Sequence, residues 1–507
     1  MMDALMGIDV GTSSCKLTVF RKDGTVILTD TRKYPVYYPQ DGWVEQDPEE
    51  WWECICAAVS KMMADDKMKE VNIKGIGIDG QGWSMIPIDK EGRVLCRNPI
   101  WMDTRAADLC EEYKRKIGEE KIFEISGNSL EPSYTLQKIL WLRRNRPEIF
   151  EKIDVVLQAN SFVVFKLTGK RTQDISQGYG LQCFDMRKGT WNHELCSQFG
   201  VPERILPSIY NSDEIVGCVT EEAAKLTGLK AGTPVVAGGL DAACGALGAG
   251  VIAHGETQEQ GGQAEGMSIC LKEYIADPRL IMGYHVVPGH WLLQGGTVGG
   301  GGVVDWVKDT YCYEEKRNAQ IRGTNTYYEM DELSKAIPAG ADGVIFLPYM
   351  KGERSPIWNA AAKGVYYGID FEKKRGHLIR ASQEGVAYSL RHNLEIAEQA
   401  GAQVTELWGM GGCANSQVFM QIKADVTGKV IRVPRSDMAT TLGAAILAGI
   451  GTGVYQDYED ARNATNKVQK VYSPNAAVKK VYDEGYAKYL RLYEQLECLM
   501  TREEVQA

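Results

Sequence analysis

Met6-Gly7-Ile8-Asp9-Val10-Gly11-Thr12-Ser13-Ser14 is an apolar run that ends in an acid and then turns on a glycine and three hydroxyl residues. Two further extended runs follow, Lys16 to Phe20 and Thr25 to Thr29, with Lys22-Asp23-Gly24 between them. Asp-Gly between two such runs is a strong hairpin signal, because the glycine reaches backbone angles the tight turn needs. The spacing predicts that Gly11-Thr12-Ser13-Ser14 caps a β-hairpin, where backbone N–H groups and hydroxyls can converge on phosphate oxygens. It is not a Walker-type loop, since no Gly-Lys-Ser/Thr follows. Taken alone, Asp-x-Gly-Thr is a weak signal and more often an ordinary turn.

A second strand end strengthens the first. Val235-Val236-Ala237-Gly238-Gly239-Leu240-Asp241 is again an apolar run closing on an acid, followed by the small residues Ala242 to Gly248. A carboxylate left uncrowded at a strand end suits a base that accepts the proton of a hydroxyl. Its bland alternative is a helix N-cap, a position Asp favours. We take Asp241 as the centre of the site.

Strand and helix signals alternate along the rest of the chain, as in an α/β protein. One helix is announced by Asp47 as N-cap, Pro48 in the first turn and Glu49 and Glu50 at the positive end of its dipole. Its stripe of Trp51, Ile55, Ala58, Val59 and Met62 recurs at helical spacing and belongs to a core. Strand Ile73 to Ile78 runs into Asp79-Gly80-Gln81-Gly82-Trp83, and a short segment ends in Trp101-Met102-Asp103-Thr104-Arg105. Both place polar or aromatic groups at strand ends, where α/β sites form. Glu256 to Cys270 repeats the opening hairpin layout around Gly261-Gly262-Gln263, which predicts two similar domains facing each other. Glycines 299 to 302 bring backbone close to a neighbour, either a ligand or a tightly packed element. Leu407 to Ser416 reads as strand, glycine turn and helix start, a place for adenine or ribose against bare backbone and for phosphate at the helix N-terminus. The helix from about Thr441 to Gly449 is rich in small residues and should be packed closely on both sides.

Composition fits a soluble, cytoplasmic enzyme. A chain of 507 residues exceeds one compact core, so two domains of roughly 250 residues are expected. Charged residues make up 24% and hydrophobic ones 44%, which is globular. The formal net charge of −10 is spread without long runs and argues against nucleic acid as a partner. No apolar run reaches membrane-spanning length, and the start Met1-Met2-Asp3-Ala4 has no targeting pattern. Thirteen scattered cysteines without CxxC pairs read as reduced thiols.

Taken in order, Asp9-Val-Gly-Thr-Ser, Gln81-Gly-Trp, Trp101-Met-Asp-Thr-Arg, Gly238-Gly-Leu-Asp-Ala-Ala, Gly352-Glu-Arg-Ser-Pro, Gly364-Val-Tyr-Tyr-Gly-Ile, His377-Leu-Ile-Arg-Ala-Ser-Gln-Glu-Gly and Gly411-Gly-Cys-Ala-Asn-Ser make a series. The series resembles the FGGY family of carbohydrate kinases from Gly7 to about Tyr455, and within it the xylulokinases more than the glycerol kinases. Each motif is modest alone; their joint order is specific. The resemblance implies two actin-like ATPase domains of the RNase H-like type with a central cleft, over residues 1–250 and 251–507. Sugar is expected on the first and nucleotide on the second. It implies ATP and Mg²⁺ as cofactors. Asp241 would be the general base and Asp9 the acid that holds the metal, with Asp241 beside it. Gln81, Gly82, Trp83, Trp101 and Asp103 would meet the sugar. Thr12 and Ser13 would form the first phosphate loop, Gly262, Gln263, Gly299 and Gly300 the second phosphate region, and Gly411, Gly412 and Asn415 the nucleotide turn. Phosphoryl transfer gains mainly from positioning and charge neutralisation, so an ordinary carboxylate suffices as base.

Two departures stand out. The family's second phosphate loop carries Gly-Thr where this chain has Gly262-Gln263, exchanging a compact hydroxyl for an amide that can still donate. Its sugar turn reads Gln-Met-His in xylulokinases and Gln-Arg-Glu in glycerol kinases, against Gln81-Gly82-Trp83 here. Three readings follow. The first is an ATP-dependent kinase of a ketose, D-xylulose foremost. The second is the same chemistry on another polyol or sugar, such as glycerol, erythritol, ribulose or a deoxy-sugar. The third, of another class, is a nucleotide-dependent sugar sensor without catalysis, against which Asp9 and Asp241 both speak. A homodimer is left open by the sequence. Domain closure over the sugar is expected, with Gly238 and Gly239 as hinges.

Overall fold

The opening hairpin forms as its turn chemistry dictates. In the computed structural model, which describes residues 2–436 and 438–501, strand β1 (Met2–Val10) pairs antiparallel with β2 (Ser14–Arg21), and β2 with β3 (Val26–Lys33). Gly24 holds the second turn at φ +77°. Helix α1 (Pro48–Met63) begins where Asp47 accepts a hydrogen bond from the Glu49 N–H at 3.0 Å. Trp51, Ile55, Ala58, Val59 and Met62 are buried in the core as their spacing predicts. Strand β4 (Val71–Gly80) then lies parallel to β1, so that Asp9 and Asp79 are register partners.

Three short strands complete this first sheet: β5 (Ile215–Cys218), β6 (Pro234–Val236) and β7 (Gly239–Leu240). Its seven strands run β5-β6-β4-β1-β2-β3, with β7 added beside β4. From β7 the chain enters helix α2 (Asp241–Ala249). Leu240 is the N-cap residue and Asp241 is already the first helical residue. The capping alternative therefore does not apply to Asp241.

The second sheet repeats the plan. Strands β8 (Glu256–Gly261), β9 (Glu265–Leu271), β10 (Ile281–Tyr284) and β11 (Trp291–Thr297) are antiparallel neighbours around the Gly261–Gln263 turn. Helix α3 (Gly301–Tyr311) and the long α4 (Arg375–Gln399) follow. Strand β12 (Glu406–Met410) lies parallel to β8 as β4 does to β1. Helix α5 (Gln417–Thr427), β13 (Ile431–Pro434), helix α6 (Ala439–Gly451) and β14 (Val468–Tyr472) finish it, in the order β10-β11-β9-β8-β12-β13-β14. Two mixed sheets thus build two domains of one α/β plan.

Helices α2 and α6 bind the halves together through missing side chains. A Cβ on Gly77 of β4 would lie 1.8 Å from the Ala444 carbonyl oxygen, and one on Gly7 of β1 1.9 Å from that of Thr441. Between the helices, a Cβ on Gly443 would meet the Cys244 oxygen at 1.8 Å and one on Gly248 the Ala439 oxygen at 1.9 Å. Helix α6, encoded late in the chain, therefore lies directly on the first sheet. This is the two-sided packing that its small residues predict.

Gly238 and Gly239, the expected hinge pair, lie beside β4 in the first sheet. Both are buried; a Cβ on Gly238 would fall 1.9 Å from the Ile78 oxygen, and Gly239 pairs in register with Asp79. Gly239 is thus held in the sheet beside β4, whereas Gly238, at φ +77° between β6 and β7, packs where a side chain would not fit. Among the described residues, no helix is long and apolar enough to cross a membrane.

Candidate active site

Three carboxylates meet where the first sheet ends. Asp9 closes β1, Asp79 lies beside it on β4, and Asp241 opens α2 just beyond β7, which pairs with β4. Asp79 is fully buried, neither of its oxygens accepts a hydrogen bond from a neighbouring N–H or hydroxyl donor, and its protonated carboxyl can itself donate to Asp9. Burial, then the charges of Asp9 and Asp241, raise its pKa well above the carboxylate range. Asp9 is raised too, chiefly by burial, with hydrogen bonding to Asp79 and the Lys16 charge acting against it. Burial and the neighbouring Asp9 charge push Asp241 up to about 7, while the Ala242 N–H donates to its Oδ1 at 2.7 Å and opposes the shift. A base poised near neutrality is well matched to taking a hydroxyl proton.

This excess of negative charge is what a divalent cation would relieve. Among the described residues no group of three His, Cys, Asp or Glu forms a metal cage. Mg²⁺ does not require one, since it is commonly held by one or two carboxylates together with substrate phosphates. The orphaned oxygens of Asp79 beside Asp9 make the donor set fit that ion.

Above the carboxylates lies a cavity of about 400 Å³, lined by Gln81, Gly82, Trp83, Trp101, Tyr179 and Asp241 from the first half and by Glu265, Arg354 and Ser355 among others from the second. Trp83 sits at φ +62°, an uncommon angle for a bulky residue. Its conformation is held from three sides. The Trp83 N–H donates to Gln158 Oε1 at 3.1 Å, its carbonyl accepts from the buried Lys138 Nζ at 2.7 Å, and its ring meets Tyr134 edge-on with centroids 4.5 Å apart. Gly180 leaves room for the ring, since a Cβ there would fall 2.5 Å from Trp83 Cδ1. Gln81 Oε1 and Arg354 Nε are buried in this cavity's wall without partners.

Asp103 is a correction. It is fully buried, both its oxygens are taken by the Arg105 guanidinium, and Oδ2 also accepts the Val44 N–H at 2.7 Å. It braces the Trp101 turn and does not line the cavity. Trp101 does line it and donates its indole N–H to Thr12 Oγ1 at 3.0 Å, which puts Thr12 one hydrogen bond from this cavity. Ser13 is exposed on the same turn.

The larger cavity, about 970 Å³, is lined by Gly262, Gln263, Gly412 and Asn415, all anticipated from sequence, together with Gly301. Gly262 and Gln263 line both cavities, so the two spaces meet at the second loop. Gly299, Gly300 and Gly411 line neither cavity. A Cβ on them would strike the Pro348 oxygen at 2.1 Å, Ala264 C at 2.4 Å and the Gly261 oxygen at 2.5 Å respectively. Behind them, Gly301 and Gly302 donate their N–H groups to the Gly262 and Gln263 carbonyls at 2.7 and 3.0 Å. The missing Cβ of Gly302 makes room for the Gln263 amide, which would otherwise lie 2.1 Å away.

Several residues here escape sequence reasoning. Asp305, Tyr327 and Asp331 line the larger cavity from helices that carry no motif. Asp331 accepts from Ser416, the N-cap of α5, at 2.6 Å. Glu259 and Glu265 flank the second loop and share the fully buried Lys423, at 2.6 and 3.1 Å. Only the strand-end position of Asp79 offers a signal that could have been used.

The motif order seen in the sequence is matched across the chain. The FGGY family of carbohydrate kinases, N-terminal domain, matches residues 4–248, and its C-terminal domain residues 268–452. The chain belongs to this family. The FGGY chain is 30% identical to the xylulose kinase of Escherichia coli (strain K12) over 499 residues, covering 98% of this chain and 99% of the other. It is 26% identical to a gluconokinase of Bacillus licheniformis over 499 residues, covering 98% and 97%. The crystal structure of xylulose kinase from Rhodospirillum rubrum superposes with a TM-score of 0.91 at 28% identity, covering 98% of this chain and all of that one. As an FGGY kinase, the protein is a carbohydrate phosphotransferase of α/β fold with a sugar as its acceptor.

Proposed function

We propose that this kinase transfers the γ-phosphoryl group of ATP to a hydroxyl of a ketose, D-xylulose foremost. In this reading Asp241 takes the hydroxyl proton as the hydroxyl oxygen bonds to phosphorus, the bond from phosphorus to the bridging oxygen breaks, and ADP leaves. Asp9, with Asp241 near it, would hold Mg²⁺, which when bound supplies charge neutralisation on the phosphate oxygens. Thr12 and Ser13 on one side and Gly262 and Gln263 on the other would bind phosphate through backbone and hydroxyl or amide donors. The observation that carries the proposal is the meeting of the two cavities at Gly262 and Gln263, with Asp241 in the wall of the smaller one. A donor in the larger space and an acceptor in the smaller then face each other across the loop.

A second acceptor class has its own observation. Arg354 is the one cationic side chain lining the sugar cavity among the described residues, and its Nε has no partner. A guanidinium recognises a carboxylate well, which favours an aldonate such as gluconate. Coupled ADP release measured with D-xylulose, D-ribulose, gluconate, glycerol and erythritol separates these readings. D-xylulose is expected to give the highest kcat/KM; turnover with gluconate and none with either pentulose would replace the first reading by the second.

A further inference from the structure

Gln46 joins the sugar cavity to the first phosphate loop. It precedes α1, is fully buried, and had no part in the motif series. Its Oε1 accepts from Gln81 Nε2 at 2.7 Å, and its own Nε2 donates to the Thr12 carbonyl at 2.8 Å. A weaker contact from the same Nε2 reaches the Pro35 carbonyl at 3.4 Å. Gln81 is itself 1% exposed, its backbone N–H is fixed on the Val10 carbonyl at 2.9 Å, and its Oε1 is the partnerless oxygen in the cavity wall. A buried acceptor without a donor is costly to leave so. In the family's sugar site the donor at hand is a hydroxyl of the acceptor.

We propose that Gln46 is a positioning residue that carries sugar occupancy from Gln81 to Thr12. A sugar hydroxyl donating to Gln81 Oε1 completes an unbroken chain of hydroxyl, amide, amide and carbonyl. Each amide in such a chain is polarised by its neighbour, so the donation into the Thr12 carbonyl strengthens when the sugar binds. Thr12 is held a second time from the same cavity by the Trp101 indole on its hydroxyl. The carbonyl and the hydroxyl of Thr12 thus both answer to the sugar side, and the loop is set for phosphate when the acceptor is present. This limits loss of ATP to water when it is absent. The inference rests on the kinase reading above.

The coupling is measurable without turnover. Dissociation constants of the Mg²⁺ complex of β,γ-imido-ATP are measured by calorimetry with and without D-xylulose, and again with gluconate, for the wild type and for Gln46→Met. Linkage requires the same coupling factor in the sugar's affinity with and without nucleotide. The wild type is expected to show coupling of about 5-fold or more, within the usual allosteric range. Gln46→Met, close to isosteric but unable to relay, is expected to bring the factor to within about twofold of one while sugar affinity without nucleotide changes less than about threefold, as removing a relay and not a contact should. Gln46→Asn, which keeps the amide but is too short to span both partners, is expected to do the same and serves if the Met variant does not fold. A variant that only loses melting temperature and keeps the wild-type coupling overturns the relay and leaves the kinase reading standing. A wild type that binds the nucleotide equally with and without both sugars overturns the relay as well. Absence of phosphorylation across the whole acceptor panel would instead overturn the kinase reading and the relay with it.

Discussion

The hydroxyl of Thr440 donates to Oδ2 of Asp9 at 3.3 Å, although 431 positions separate the two residues in the chain. The contact exists because α6 lies on β1 and β4 with no side chain between helix and sheet at Gly7 and Gly77. A late helix thereby finishes the acidic end of the first strand.

That contact makes Gly77→Ala a test of the assembly. The added methyl would meet backbone at Ala444, which cannot swing aside, so α6 must lift. Overpacking of this kind costs about 1–3 kcal/mol or more. The variant should melt lower than wild type and lose activity beyond its loss of folded fraction, as Thr440 moves off Asp9. A melting temperature equal to wild type by calorimetry would show that the interface is loose.

Replacement of the base separates chemistry from binding. Asp241→Asn should bind ATP with little change and lower kcat by a factor of roughly 10² to 10⁴, the usual worth of a general base. Near-normal turnover would remove Asp241 from that role.

Asp9→Ala should behave differently. Because its partner is the cation and its phosphates, the variant should lose Mg²⁺-dependent nucleotide binding while metal-free sugar binding stays within about twofold, no sugar contact having been removed. Equal losses of sugar and nucleotide affinity in calorimetry would assign Asp9 to the acceptor instead.

Lys138 predicts a pH effect on stability. Burial lowers its pKa to about 7, with the Arg105 charge acting in the same sense and Asp103 opposing. The unfolded lysine titrates near 10.4, so between about 7 and 10.4 the unfolded chain holds one proton more than the folded one. Stability from this group therefore rises with pH across that window, by an upper bound of about 5 kcal/mol. The neutral amine keeps two N–H donors, enough for the Trp83 and Ser133 carbonyls it reaches at 2.7 and 2.6 Å. Urea unfolding of wild type minus Lys138→Met should show this slope from pH 7 to 9. A flat difference would mean that the ammonium stays charged in the fold.

Gln263 tests the departure in the second loop. Gln263→Ala should raise KM for MgATP with little change in sugar affinity, because the side chain stands exposed where the two cavities meet. Gln263→Thr should recover part of the loss by restoring a hydroxyl donor. If neither change alters KM for MgATP, the backbone alone serves the phosphate.

The local rules were legible in the sequence. Asp23-Gly24 gave the hairpin, Asp47-Pro48 the start of α1, and the strand-ending acids Asp9 and Asp241 the centre of the site, because turn chemistry, capping and periodicity act over a few residues. The ordered motifs gave the family, whose two-domain plan both sheets follow. What each glycine does was decided only in three dimensions. Gly262 and Gly412 line a cavity, whereas Gly299, Gly300, Gly411 and Gly238 press on backbone and Gly239 on the Val286 side chain, and nothing local distinguishes these uses. Asp103 stands in a motif yet spends both oxygens on Arg105, while Gln46 and Asp79, outside every assigned role, stand beside the chemistry. The physical reason is that burial, hydrogen-bond completion and shifted proton affinity are properties of what surrounds a side chain. For these residues the surroundings are supplied by strands and helices far away in sequence.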